Sequence, residues 1–168
     1  VQTISDNIAN ANTTGFKATN VAFTKLLVPA AIKNTQGSIS VTGVATDLAV
    51  NGEGFFRVLK TDDNSQYATR SGDFFFDEQG YLVNSTGLRV QGLTAGTAAA
   101  APGTLGSIRL SQNPPANAQL LSFAFDKQGM LTETYSDGTK IVTNQVLLQR
   151  YSNPTALRLT GTNLFTNF

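Results

Sequence analysis

From residue 38 onward the chain is predicted to be mainly β. Short runs rich in Val, Ile, Thr, Tyr and Phe recur, Gly, Asn and Asp punctuate them at turn spacing, and one turn sequence occurs twice. Forty per cent of the 168 residues are hydrophobic, 11 of them Phe, which is enough for a packed interior of one ordinary domain. The expected fold is a β-rich globular domain of short antiparallel strands, preceded by an N-terminal helical segment and an extended connector.

Val1, Ile4, Ile8 and Ala11 recur at three and four residues and share one helical face, and Gly15 supplies the stop. Asn7, Asn10 and Asn12 are poor helix formers, so a helix this short needs a partner surface. Residues 16–37 read as a connector whose apolar patch, Phe23, Leu26, Leu27 and Val28, docks on something before Pro29 interrupts it.

Candidate strands then cover Ser38–Val41, Phe55–Lys60, Tyr67–Ser71, Asp73–Phe76, Tyr81–Val83, Arg89–Gln91, Ser107–Leu110, Leu121–Phe125, Leu131–Tyr135, Lys140–Leu148 and Arg150–Tyr151. Phe76-Asp77-Glu78-Gln79-Gly80-Tyr81-Leu82 is echoed by Phe125-Asp126-Lys127-Gln128-Gly129-Met130-Leu131, and both read as hairpins. Asp137-Gly138 marks a third. Neither copy of the echo has the alternating acids and closing Glu of a calcium loop, so the Asp residues are turn formers. Gly92–Gly106, with four consecutive alanines, reads as a surface loop, and 92–117 as a whole reads as a loop or reduced insertion. In Phe55-Phe56 and Phe74-Phe75-Phe76, strand alternation sends neighbours to opposite faces. A second covered face is the simple explanation, and an intersubunit contact is the functional one.

The composition excludes several chemistries. His and Cys are both absent, which removes the usual general base, the usual zinc ligands and thiol nucleophiles. No catalytic, cofactor or metal site is expected. Twelve basic and 11 acidic residues leave a net charge of +1 without a block of one sign, so neither nucleic acid nor anionic lipid is an expected partner. No apolar run approaches the ~20 residues that cross a bilayer, and the start lacks the regions of a cleavable leader.

Ile4-Ser5-Asp6-Asn7-Ile8-Ala9-Asn10-Ala11-Asn12-Thr13-Thr14-Gly15-Phe16-Lys17 closely resembles the amino-terminal signature of the flagellar axial proteins, the family of rod and hook subunits. Asp47-Leu48-Ala49-Val50-Asn51-Gly52-Glu53-Gly54-Phe55-Phe56, Tyr67-Ala68-Thr69-Arg70-Ser71-Gly72-Asp73-Phe74 and Gly80-Tyr81-Leu82-Val83-Asn84 follow in the family's order. Asn144–Leu148, Ser152-Asn153-Pro154 and Gly161–Phe165 resemble its later segments. The resemblance implies a non-enzymatic subunit that assembles into a helical tube. Its terminal helices would pair in an inner tube, and its neighbours would be copies of itself together with other axial, junction and hook-cap proteins.

It further implies residues 1–15 as an inner-tube helix, 16–37 as connector and 38–168 as the outer β domain. Ile4, Ile8 and Ala11 would then pack the tube, Asn7, Asn10 and Asn12 would fix register, and Phe16, Phe23, Leu26 and Leu27 would anchor the connector. A flagellar location reached by export without a cleavable leader follows from the same resemblance. The chain opens inside the family signature without Met and stops before a closing helix, so a truncated subunit is expected. Phe125–Leu131 followed by Tyr135–Gly138 leans toward a hook-type subunit. The compact 92–117 region keeps a distal rod-type subunit as the alternative, and a β-rich glycan-binding or adhesive module as the more distant one.

Overall fold

The computed structural model describes residues 39, 42–94, 103–161 and 163–166, and they form one antiparallel twelve-stranded sheet. The strands are β1 Phe55–Leu59, β2 Gln66–Thr69, β3 Phe75–Phe76, β4 Leu82–Val83, β5 Arg89–Thr94, β6 Thr104–Ser107, β7 Leu120–Phe125, β8 Met130–Tyr135, β9 Lys140–Val146, β10 Leu148–Gln149, β11 Arg158–Thr160 and β12 Leu164–Thr166. The main path runs β11-β12-β2-β1-β5-β9-β8-β7. At β1 the sheet forks: Val58 and Leu59 pair with β5, whereas Phe55 and Phe56 pair with β10.

The three predicted turns form by the expected chemistry. Asp77 Oδ1 accepts from the Tyr81 N–H at 2.8 Å, and Asp126 Oδ1 accepts from the Met130 N–H at 2.9 Å. Gly80 and Gly129 take φ of 81° and 77°, the left-handed region in which a side chain is strained, so each copy of the repeated sequence reverses the chain identically. Asp137 Oδ1 accepts from the Thr139 N–H at 2.9 Å in the third turn.

Several boundaries differ from the sequence reading. Gly92–Thr94 and Thr104–Gly106, expected as loop, pair as β5 and β6, so only the stretch between them, at 95–102, lies outside the described residues. Ile108, expected inside a strand, is a fully buried link: its N–H donates to Val90 O at 2.9 Å and its carbonyl accepts from the Leu82 N–H at 3.0 Å. The run Lys140–Leu148 breaks at Leu147 because β10 leaves β9 to pair with β1. Arg150–Tyr151 is not a strand, and Ile39, all that is described of Ser38–Val41, lies in none either. The β11–β12 hairpin, reversing at Gly161 with φ 71°, had no counterpart among the expected strands.

Alternation explains the aromatic pair. Phe56 enters the main core with Val58, Phe74, Leu82, Val90, Ile108, Leu131 and Val146, while Phe55 faces a second cluster with Ala68, Leu157 and Phe165. Both faces of β1 are therefore covered, as a strand buried on each side requires. Edge-on ring contacts, Phe56 with Phe74 at 5.1 Å and Phe55 with Phe165 at 5.5 Å, lock the two layers.

One charged side chain enters the interior. Glu133 falls in phase with Leu131 and Tyr135 on β8 and is fully buried. Its Oε1 accepts from the Ser111 N–H at 2.9 Å and from the Thr143 hydroxyl at 3.0 Å, and its Oε2 accepts from the Tyr135 hydroxyl. Burial, reinforced by the bond to Glu133, pushes the Tyr135 phenol up to about 12. Because that value is raised above the ~10 of an unfolded tyrosine, the stabilisation is complete below pH ~10 and disappears as pH rises toward ~12. In alkaline unfolding monitored by circular dichroism, Tyr135→Phe should lose stability less steeply than wild type across that window, and equal slopes would refute the assignment.

Candidate assembly surface

Every residue singled out from sequence for assembly, Ile4, Asn7, Ile8, Asn10, Ala11, Asn12, Phe16, Phe23, Leu26 and Leu27, lies outside the described residues. Within the described residues, two motifs separated in sequence meet.

The incoming chain, 42–54, is clasped by 70–73. Asp47 and Asp73 form an isolated antiparallel bridge, and the Leu48 N–H donates to Gly72 O at 2.8 Å. Arg70 is buried, and its guanidinium donates to Gly54 O and Gly52 O at 2.7 Å each and to Val50 O at 3.4 Å. These carbonyls belong to an irregular loop with no ladder of its own, so one planar fork of donors satisfies several acceptors together. Burial lowers the Arg70 pKa below the usual guanidinium value, and the same group lies 5.7 Å from the centre of the Phe55 ring. Gly52 and Gly54, at φ of 97° and 122°, let the loop present its carbonyls to Arg70.

The outgoing chain returns to the same strands. Phe55 and Phe56 pair with Gln149 and Leu148, while Leu164 and Phe165 pair with Thr69 and Ala68. Tyr151 meets the Phe55 ring edge-on at 5.7 Å. The first and last described segments of the β domain thus converge on β1 and β2, although about a hundred residues separate them in sequence. The sequence reading found both motifs but not their union through Arg70. A lone arginine between a strand and a Ser-Gly turn was the available signal, and it does not name its carbonyl partners.

Among the described residues, the outward aromatic is Phe75, 49% exposed, whereas Phe74 is buried and Phe76 packs on Phe123 at 4.9 Å between ring centres. Leu121, the residue left unopposed where β7 shifts register against β8, is 67% exposed. No group of three or more acidic side chains placed to hold a metal ion occurs among the described residues.

Residues 49–133 match the family model of the flagellar hook protein FlgE/F/G D1 domain, which is half of the chain. The chain belongs to the flagellar hook and rod protein family. Residues 1–17 also match the model of the flagella basal body rod proteins. Hook protein FlgE of Helicobacter pylori (strain ATCC 700392 / 26695) is 38% identical to this axial-family chain over 117 residues, covering 52% of it and 16% of the relative. Hook protein FlgE of Brucella abortus is 37% identical over 114 residues, covering 59% and 28%. Basal-body rod protein FlgG of Borreliella burgdorferi is 28% identical over 195 residues, covering 98% of the chain and 66% of the relative. The chain therefore spans less than a third of the length of these hook relatives. Val50, Gly52, Gly54, Arg70, Gly72 and Phe75 fall inside the 49–133 match, whereas Asp47 and Leu48 of the clasp precede it.

Proposed function

We propose that the chain is a non-catalytic structural subunit of the flagellar axis, self-assembling as part of the helical tube of the hook. The observation that carries this reading is the convergence of incoming and outgoing segments on β1 and β2. A tube subunit with an inner layer of paired terminal segments and an outer β domain needs both segments to leave that domain at one place, and Arg70 holds the incoming one there. Growth requires a heterologous contact, one patch meeting a different patch on the next copy, so that rotation never closes a ring.

In this reading residues 1–15 form the inner-tube helix, 16–37 the connector and 38–168 the outer domain. Ile4, Ile8 and Ala11 pack the tube, and Phe16, Phe23, Leu26 and Leu27 seat the connector on adjacent subunits. Neighbouring axial, junction and cap proteins are the other partners, at a flagellar location reached by export. A distal rod subunit is the second reading, favoured by the alignment with the Borreliella rod protein through 98% of the chain.

Deleting the gene in its source bacterium and imaging purified basal bodies by electron microscopy separates the readings. Complete rods lacking hooks are expected for a hook subunit, and rods that stop short of their distal end for a rod subunit. Basal bodies with rod and hook intact would overturn both.

A further inference from the structure

We propose that Arg89 and Arg109, stacked on Tyr81, form a carboxylate-binding contact for a second copy of this chain, an inference that rests on the assembly reading above. Tyr81 and Arg109 are joined by an antiparallel bridge, and Arg89 opens β5 opposite Val83, two residues beyond Tyr81. The guanidinium carbons lie 3.6 Å (Arg89) and 4.5 Å (Arg109) from the centre of the Tyr81 ring. The Arg109 Nε donates to Gln79 O at 3.0 Å, which ties that side chain to the turn through a single one of its five N–H donors. All three side chains are half-buried, so the ring and the turn hold the cations while leaving them reachable.

Two features point to an incoming anion. Both charges sit over one ring, closer together than the ~10 Å Debye length at 0.1 M salt, so they repel each other with little screening. Among the described residues neither guanidinium has a carboxylate at ion-pairing distance. A carboxylate placed against the pair removes the repulsion and accepts the paired, planar donors that arginine supplies and lysine does not.

Charge complementarity selects the occupant. The chain is nearly neutral at +1, yet Glu53 and Asp62 are exposed and, like the two arginines, have no ion pair among the described residues. Charges of both signs that are left unpaired among the described residues of one copy can pair between copies. Because these acidic residues and the two arginines occupy different positions on the chain, such a contact is heterologous, as an open filament requires.

The test is sedimentation velocity of the complete subunit at low and physiological salt, comparing wild type with the double variant Arg89→Gln/Arg109→Gln and with Tyr81→Leu. The double variant should raise the apparent dissociation constant about tenfold at low salt and flatten its salt dependence, since each exposed pair contributes modestly. Tyr81→Leu should fall between, and Arg89→Lys alone should weaken association less than the double variant does, because it keeps the charge and loses only the fork. Wild type that associates while the double variant matches it in affinity and salt slope would overturn this contact and leave the assembly reading standing. Wild type that never associates would overturn both. Millimolar inorganic phosphate bound by wild type but not by the double variant, with association unchanged, would also overturn the contact, in favour of a free anion.

Discussion

Gly72→Ala should cost about 3 kcal/mol or more, among the largest losses any single methyl can cause in this chain. An added Cβ would lie 1.5 Å from Leu48 O, a backbone atom held by its own loop, so no side-chain rotation relieves the clash. The two segments must separate, which breaks the Leu48 N–H to Gly72 O bond and the Asp47–Asp73 bridge and releases the loop that Arg70 organises. Gly43→Ala is the control. Nothing lies within 4 Å of its added Cβ, and only the φ of +80° opposes it, at a cost of roughly 1–2 kcal/mol. Urea unfolding of both variants checks the expectation, and Gly72→Ala with a wild-type midpoint would refute it. The functional consequence is specific: hydrogen exchange at 47–54 should rise more than at β8 and β9, because the clasp opens before the core does.

Glu133→Leu is expected to destabilise by about 3 kcal/mol, whereas Glu133→Gln should cost about 1. Leucine leaves the Ser111 N–H and the Thr143 and Tyr135 hydroxyls facing a side chain that cannot accept, in an interior closed to water. Glutamine keeps one acceptor oxygen for Ser111 and Thr143, and the Tyr135 hydroxyl can turn to accept from its amide. Thermal unfolding of the two variants against wild type reads the difference. If leucine matched wild type, the buried network would be dispensable, as some buried charges replaced by apolar groups are.

The network also shows where sequence reading falls short. Glu133 sits in strict alternation with Leu131 and Tyr135, so its inward direction follows from the pattern, yet its acceptance there depends on Ser111 and Thr143, which other segments supply. The repeated turns were legible because their chemistry is local: Asp77 and Asp126 bond backbone groups within four residues, and Gly80 and Gly129 need only their own φ. Strand ends were less so. Leu148 leaves its run because β1, far away in sequence, offers an unpaired edge, and Gly92–Thr94 stays extended because Thr104–Gly106 pairs with it.

By itself the sequence determined the β class, the three turns that open on Asp and close on Gly, the membership implied by its motifs and the exclusion of histidine and cysteine chemistry, all of which rest on residue identity and short-range geometry. Tertiary structure alone decided that Phe55 and Phe56 serve two cores, that Phe75 is the phenylalanine left outward, and that Arg70 joins two motifs into one clasp. Those outcomes turn on which strands become neighbours, and strand neighbours are chosen by packing between distant segments, which no local pattern encodes.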